Sequence, residues 1–314
     1  MLQYLVILLD DTSVAYCHAD NPLGERNHIP IDVLKKAIIF SLKENLMVQL
    51  VYPDYPLPQE YNTLIDSIDH MKIGRDIRVY NSIPQDISSK NIVLRIPIGE
   101  FISQCQNIAN LLQQINRINI CFTDIESFCD EQISDYKKAL DVLVNAQMMQ
   151  YKEGREPQIN ILTDRLQLTE MHNCGAGETN ITMAPNGKFY LCPAFYYDEK
   201  MGISNRLNHL QPSSERSVGD LDRGLQIPNL QLLKLDHAPL CRICDAYHCN
   251  RCIWLNQKLT WDNNTPSHQQ CVLAHLERNA SRELQLRMIN AGFKFEQPIE
   301  EITYLDPFEV RIEF

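Results

Sequence analysis

No stretch of this 314-residue chain approaches the ~20 consecutive apolar residues that a membrane span needs. The apolar opening, Leu5 to Leu9, stops at Asp10-Asp11 and has no basic segment before it, so neither a spanning helix nor a secretory signal is expected. An excess of basic charge is missing too. The formal net charge is −11, which argues against nonspecific binding to nucleic acid, because phosphate contacts need a basic surface. Low-complexity segments and tandem repeats are absent. With 44% hydrophobic and 22% charged residues, the composition excludes disorder as the main state and predicts a folded, cytoplasmic protein.

Eleven cysteines stand out against that ordinary background. Seven of them lie between Cys174 and Cys271, while the first 173 residues hold only Cys17, Cys105, Cys121 and Cys129. An odd count in a chain without a signal segment makes a disulfide framework a poor fit. In a reducing compartment, clustered thiols more often hold metal.

Ahead of the cluster, strand-like and helix-like segments alternate. Strands are predicted at 4–9, 47–52, 77–80, 92–96, 118–122 and 159–162, each short and rich in Val, Ile, Leu or aromatic residues. Helical stretches fall at 31–44, 61–71, 104–116 and 133–151. Alternation of this kind builds a parallel sheet covered by helices, with functional residues in the loops after the strand C-termini. Six units are too few to close an eight-stranded barrel, so the expected fold is α/β with a partial (βα)6 TIM-like barrel. From about residue 172 the pattern changes to turns and cysteines, with Pro185-Asn186-Gly187 reading as a hairpin turn and Gln211 to Ser217 as a polar loop. Residues 272–289 read as an amphipathic helix, and 293–314 as a tail with strand-like ends.

The cysteine ladder is the strongest chemical signal. Cys174 is followed by Gly187 and Cys192, then by Cys241-x2-Cys244-x4-Cys249-x2-Cys252 and, after eighteen intervening residues, by Cys271. A C-x2-C pair on a tight turn lets two thiolates face one metal or cluster. Two such pairs only four residues apart are hard to wrap around one ion, and seven thiolates exceed what one site can use. Two sites are implied, holding iron-sulfur clusters or, alternatively, structural zinc.

The order Cys, Gly, Cys, a dense four-cysteine run and a last Cys resembles the SPASM domain of radical S-adenosylmethionine enzymes, and the β-α units before it resemble that superfamily's partial barrel. The resemblance implies a barrel over 1–171, a SPASM-like domain over 172–291 and a tail over 292–314. It also implies two auxiliary 4Fe-4S clusters. The module's interleaving would give Cys174, Cys192 and Cys252 to the first and Cys241, Cys244, Cys249 and Cys271 to the second. The first would then be one ligand short, open to water, to His172 or to a thiol of a partner peptide.

The departures from that superfamily matter as much. A radical enzyme needs Cys-x3-Cys-x2-Cys after its first strand, whereas this loop, residues 10–22, holds Cys17 alone. Where the family has Gly-Gly-Glu after the second strand, this chain reads Tyr52-Pro53-Asp54-Tyr55-Pro56-Leu57. The sequence in this respect resembles the CXXX repeat peptide maturase group, SPASM-type proteins that lack the radical-cluster cysteines. That resemblance implies a pseudoenzyme without catalytic residues of its own and without S-adenosylmethionine. It would serve beside an intact radical enzyme as a heterodimer and act in ribosomal peptide (RiPP) modification on a Cys-containing precursor peptide. A zinc-stabilised peptide- or protein-binding module and a standalone SPASM-type enzyme are the alternatives.

The remaining residues have simpler expected roles. Cys17 and His18 are structural or vestigial, because one Cys-His pair cannot make a site. Cys105, Cys121 and Cys129 are expected as buried small hydrophobes. His248 is expected to donate a hydrogen bond near the metal rather than bind it, and Arg242 and Arg251 to offset the negative charge of a thiolate-bound cluster. At the end of the chain, Phe308 to Phe314 alternates so that Val310, Ile312 and Phe314 share one face. Such a segment suits strand addition, to a sheet edge of this chain or of a partner.

Overall fold

The computed structural model describes residues 2–172, 174–202 and 216–308. Contacts divide the chain into two compact units built from interleaved segments: Met1–Val79 with Gly175–Lys234, and Tyr80–Cys174 with Leu235–Phe314.

The first unit is organised on β1 (Tyr4–Leu8), whose run Leu5 to Leu8 is fully buried. An uninterrupted apolar strand fits the centre of a parallel sheet, covered on both faces. β1 pairs in parallel with β2 (Met47–Val51) on one side and with β8 (Asn180–Met183) on the other. The order in this unit is β4-β3-β2-β1-β8-β9, with β3 at His70–Ile73, β4 beginning at Ile77 and β9 at Phe189–Tyr190. Helices α1 (Ile31–Lys43) and α2 (Gln59–Ile65) each begin directly after a proline, Pro30 and Pro58, whose fixed φ and missing N–H suit a helix start. Leu34, Ala37, Ile38 and Ser41 of α1 fall at helical spacing and form its buried stripe. The hairpin turn predicted at 185–187 joins β8 to β9, and Gly187 supplies the positive φ of 78° that its geometry requires.

In the second unit, β5 (Asn91–Ile96), β6 (Arg117–Phe122) and β7 (Gln158–Ile159) run parallel in the order β7-β6-β5. α3 (Ile98–Leu111) starts after Pro97, and α4 (Ile133–Lys152) packs against it. Phe101, Phe122, Phe128 and Tyr136 interlock here, with ring centroids 5.3 to 6.0 Å apart. The short α5 (Asp164–Gln167), α7 (Ile253–Thr260) and the long α8 (His268–Asn290) complete the unit.

The class is α/β, with parallel strands and intervening helices in the manner of a partial TIM-like barrel. Several expected elements are corrected: the helix expected over 104–116 starts earlier, at Ile98, and ends at Leu111, and the strand expected over 159–162 is only Gln158–Ile159. The helix over 61–71 ends at Ile65, because the Ser67 hydroxyl and N–H both turn back to Leu64 and His70 joins β3 against Val48. β3 and β4 are joined by a short turn at Gly74–Asp76, so no helix separates them, and residues 81–90 hold neither helix nor strand. Residues 309–314, on which the alternation of Val310, Ile312 and Phe314 falls, lie outside the described residues, as does most of the 211–217 loop. Among the described residues, no helix is long and apolar enough to cross a membrane.

Candidate metal centre

In the second unit the cysteines sit on short turns and on the first turns of helices. Cys241 and Cys249 lie in single turns of 3-10 helix, Cys244 follows the first of these, Cys252 caps α7, and Cys271 opens α8. The Cys-x2-Cys spacing brings backbone donors to sulfur. Ala246 N–H donates to Cys244 Sγ and Leu255 N–H to Cys252 Sγ, each at 3.4 Å. A side-chain amide joins them, Gln270 Nε2 lying 3.9 Å from Cys249 Sγ. N–H groups aimed at sulfur stabilise thiolate ligands and tune the metal they hold.

The four thiols of Cys241, Cys244, Cys249 and Cys271 lie within charge reach of one another. Burial, and then the neighbouring thiols, push Cys249 and Cys271 far up from the ordinary thiol range. Burial likewise lifts Cys241 to about 11, against the pull of Arg251. Cys244 is also raised by burial, while Arg278 and Arg165 draw it down. These thiols are neutral at pH 7 unless a metal displaces their protons. Among the described residues, no three Cys, His, Asp or Glu side chains stand close enough to grip a single metal ion. The thiols thus sense one another without closing on one point. As a donor set they fit a thiolate-bound cluster: four sulfurs, N–H donors on those of Cys244 and Cys249, and buried guanidiniums.

Cys174 and Cys252 belong to this unit as well, and Cys174 N–H donates to Arg251 O at 3.3 Å, next to Cys252. Cys192 belongs to the first unit, where it opens α6 (Pro193–Met201). His172 is exposed.

A polar network backs the cysteines from α8. Glu277 is buried and accepts from Tyr136 Oη at 2.6 Å, and it faces His248 Nε2 at 3.1 Å. His248, the residue before Cys249, is therefore anchored to a carboxylate. Arg278, 1% exposed, makes a two-pronged contact with Asp245, which Arg165 also approaches at 3.5 Å. Burial alone would raise Asp245, but Arg278 and Arg165 outweigh it and hold its carboxyl below the usual range. Arg251 is also 1% exposed and acts on Cys241, whereas Arg242 points to solvent and its expected part falls to Arg165 and Arg278. Cys129 departs from expectation as well. It is exposed because it begins the turn at Asp130–Gln132, where its thiol and N–H meet Gln132 Oε1. Cys105 and Cys121 are half-buried.

Tyr136→Phe removes the hydroxyl that satisfies a buried carboxylate oxygen, and is expected to cost about 1–3 kcal/mol in denaturant unfolding. The segment after α8 lends itself to a pH measurement. His268 Nδ1 lies 2.6 Å from Asp306 Oδ2, and this bond, with Asp130 at 3.7 Å, raises the His268 pKa. The folded value exceeds the unfolded one, so the stabilisation is full below the ordinary histidine range and is lost as pH rises through the raised value. An NMR titration of His268 is expected to show a fall toward about 6.5 in Asp306→Asn.

The loop after β1, in the first unit, holds carboxylates where the resemblance would place cluster cysteines. Asp10 and Asp11 are 0% and 4% exposed. Asp10 Oδ1 accepts from Thr12 N–H at 2.7 Å and from Thr12 Oγ1 at 2.6 Å. Asp11 accepts from Tyr196 Oη and from Asn27 Nδ2 at 3.1 Å, with Lys200 Nζ at 3.5 Å. After β2, Tyr55 hydrogen-bonds His28 at 3.4 Å, and burial with the Asp10 carboxylate pushes its phenol up to about 12.

No family model matches the chain, and no curated protein matches it. Among solved structures, a tagged anSMEcpe with bound AdoMet is similar over 93% of this chain and 96% of its own, at 10% identity and a TM-score of 0.48. The native anSMEcpe with bound AdoMet is similar over 92% and 99%, at 10% identity and a TM-score of 0.42.

Proposed function

We propose that this chain is an accessory pseudoenzyme that carries iron-sulfur clusters on its cysteine ladder and assists a radical S-adenosylmethionine enzyme in modifying a Cys-containing precursor peptide. The observation that carries the metal part is the set of four thiols within charge reach of one another, with N–H groups on sulfur and Arg251 and Arg278 beside them. In this reading Cys241, Cys244, Cys249 and Cys271 hold the complete cluster. Cys174, Cys192 and Cys252 hold a second one with an open position. The ladder region 172–291 would be the SPASM-like module, following a barrel over 1–171. When bound, such clusters supply one-electron redox capacity and an electron path. The accessory assignment rests on the loop after β1, which places buried, hydrogen-bonded aspartates where a radical enzyme needs three cysteines.

Co-expression with a radical S-adenosylmethionine peptide maturase encoded beside this chain, followed by size exclusion, tests the partnership. The proposal expects one peak containing both chains, with precursor peptide retained by the pair. Separate elution at micromolar concentration, with and without peptide, would count against it.

A further inference from the structure

Asp10, in the loop after β1, carries a carboxylate oxygen to which the fold supplies no donor. The residue is 0% exposed. Its Oδ1 is satisfied by Thr12, but Oδ2 is buried and finds no hydrogen-bond partner among the described residues. Such an oxygen is costly, because burial strips its water and nothing replaces it. His28 Nδ1 stands 4.0 Å from Oδ2, too far for a hydrogen bond. Arg26 lays its guanidinium on the Tyr55 ring, 4.2 Å from the centroid.

The backbone fixes these groups in place. Asp10 pairs with His28 through an isolated bridge, Ile29 N–H donates to Leu9 O at 3.0 Å, and Ser13 Oγ donates to Val51 O, at the end of β2, at 2.8 Å. Two tyrosine rings flank His28, Tyr61 at 5.5 Å and Tyr55 at 5.7 Å. Tyr55 Oη sits 3.4 Å from His28 Nε2, and burial together with the Asp10 carboxylate raises its pKa. The neighbouring aspartate shows a similar arrangement filled. Asp11 holds Lys200 Nζ at 3.5 Å, and that ammonium lies 5.9 Å from the Tyr196 ring. Asp10 has the carboxylate and the rings without the cation. In a parallel sheet, ligands bind beyond the carboxyl ends of the strands, which is where β1 and β2 deliver Asp10 and Tyr55. A metal ion is a poor match, since among the described residues no three Cys, His, Asp or Glu side chains stand close enough to hold one. A primary ammonium suits the place, with N–H donors for the carboxylate and a charge that aromatic faces attract.

From this geometry we infer that the loop after β1 is a binding site for a primary ammonium group, with Asp10 Oδ2 as its counter-ion and His28, Tyr55 and Tyr61 as its walls. A polypeptide presents that group as its N-terminus or as a lysine side chain. Entry requires the rings of His28 and Tyr55 to part. Both are partly exposed, and the 3.4 Å contact between them is a weak tie. The site lies wholly in the first unit and owes nothing to the ladder, so its failure would leave the cluster-bearing role standing.

The test uses the full chain with 13C-labelled histidine and tyrosine rings, titrated by NMR with two probes. N-acetyl-lysine methylamide carries only a side-chain ammonium, and alanine methylamide only an N-terminal one. Acetamide and sodium chloride at matched concentration control for neutral binding and for ionic strength, which matters in a chain of net charge −11. The expected result is a saturable shift of the His28 and Tyr55 signals with at least one ammonium probe and with neither control, and the probe that responds names the source of the group. Asp10→Asn keeps the oxygen that accepts from Thr12 but loses the charge, and is expected to weaken binding about tenfold or more. In the parent, NOEs from the CH2 or CH beside the probe's nitrogen to the rings of His28 and Tyr55 locate the site directly. No saturable shift in the parent with either ammonium probe overturns the inference, and so does undiminished binding by Asp10→Asn. NOEs that place the probe elsewhere overturn it as well. The parent titration needs no variant to fold, so misfolding of a substituted chain cannot mask the answer.

Discussion

Replacing Cys271 by alanine is expected to remove about four iron atoms per chain and to lower the melting temperature well below that of the loaded parent. Cys271 opens α8, which brings Glu277, Arg278 and Ser281 into the interior of the second unit. Metal bound to Cys271 and to the turns at Cys241, Cys244 and Cys249 would tie that helix to an otherwise irregular stretch of chain. Binding free energy there counts as folding free energy, because the unfolded chain has no preformed site. Cys105→Ala provides the contrast. Its thiol is half-buried on α3, away from the ladder in sequence, and its loss should leave iron unchanged and stability nearly so. Calorimetry and iron analysis on anaerobically reconstituted protein would check both variants. Equal melting temperatures for Cys271→Ala and the parent would contradict the assignment.

A second large effect is the absence of a reaction. Incubated with dithionite and S-adenosylmethionine, the isolated chain is expected to yield no 5'-deoxyadenosine. Reductive cleavage needs a cluster whose open iron chelates the substrate, held by three closely spaced cysteines after the first strand. Here that loop is fastened by Asp10 to Thr12, by Asp11 to Asn27 and Tyr196, and by Asn21 Nδ2 to the carbonyls of Asp11 and Ser13 at 2.8 and 2.7 Å. Opening it to admit a cluster would strand two buried carboxylates without their donors, at a cost of several kcal/mol. Chromatographic detection of 5'-deoxyadenosine above a no-protein control would refute this expectation and favour a standalone enzyme.

The sequence foretold the elements whose signals are local. β1, β2, β5 and β6 are apolar runs of strand length, the 185–187 turn has its Pro-Asn-Gly chemistry, and residues 272–289, which fall within α8, show helical spacing. β3 escaped because His70-Met71-Lys72-Ile73 has only one strongly β-favouring residue and owes its state to pairing with β2. The parallel pairing of β8 with β1, between residues some 175 positions apart, has no local signature either. At the candidate centre the cysteines were legible as a spacing. Their neighbours were not, since Arg165, Tyr136, Glu277 and Arg278 look like ordinary surface or core residues until folding places them together. Cys129 is exposed because only Phe128 beside it is apolar, while Asp130 to Gln132 carry the chain into a surface turn.

The central claim, that the ladder carries iron-sulfur clusters, is tested most directly by counting iron, acid-labile sulfide and zinc per chain after strictly anaerobic purification. The account predicts a brown protein with iron and sulfide in equal amounts, about four of each for the Cys241, Cys244, Cys249 and Cys271 set and up to about eight with the second site filled. A colourless protein holding one or two zinc ions and no sulfide would contradict it, and would make the ladder a structural staple.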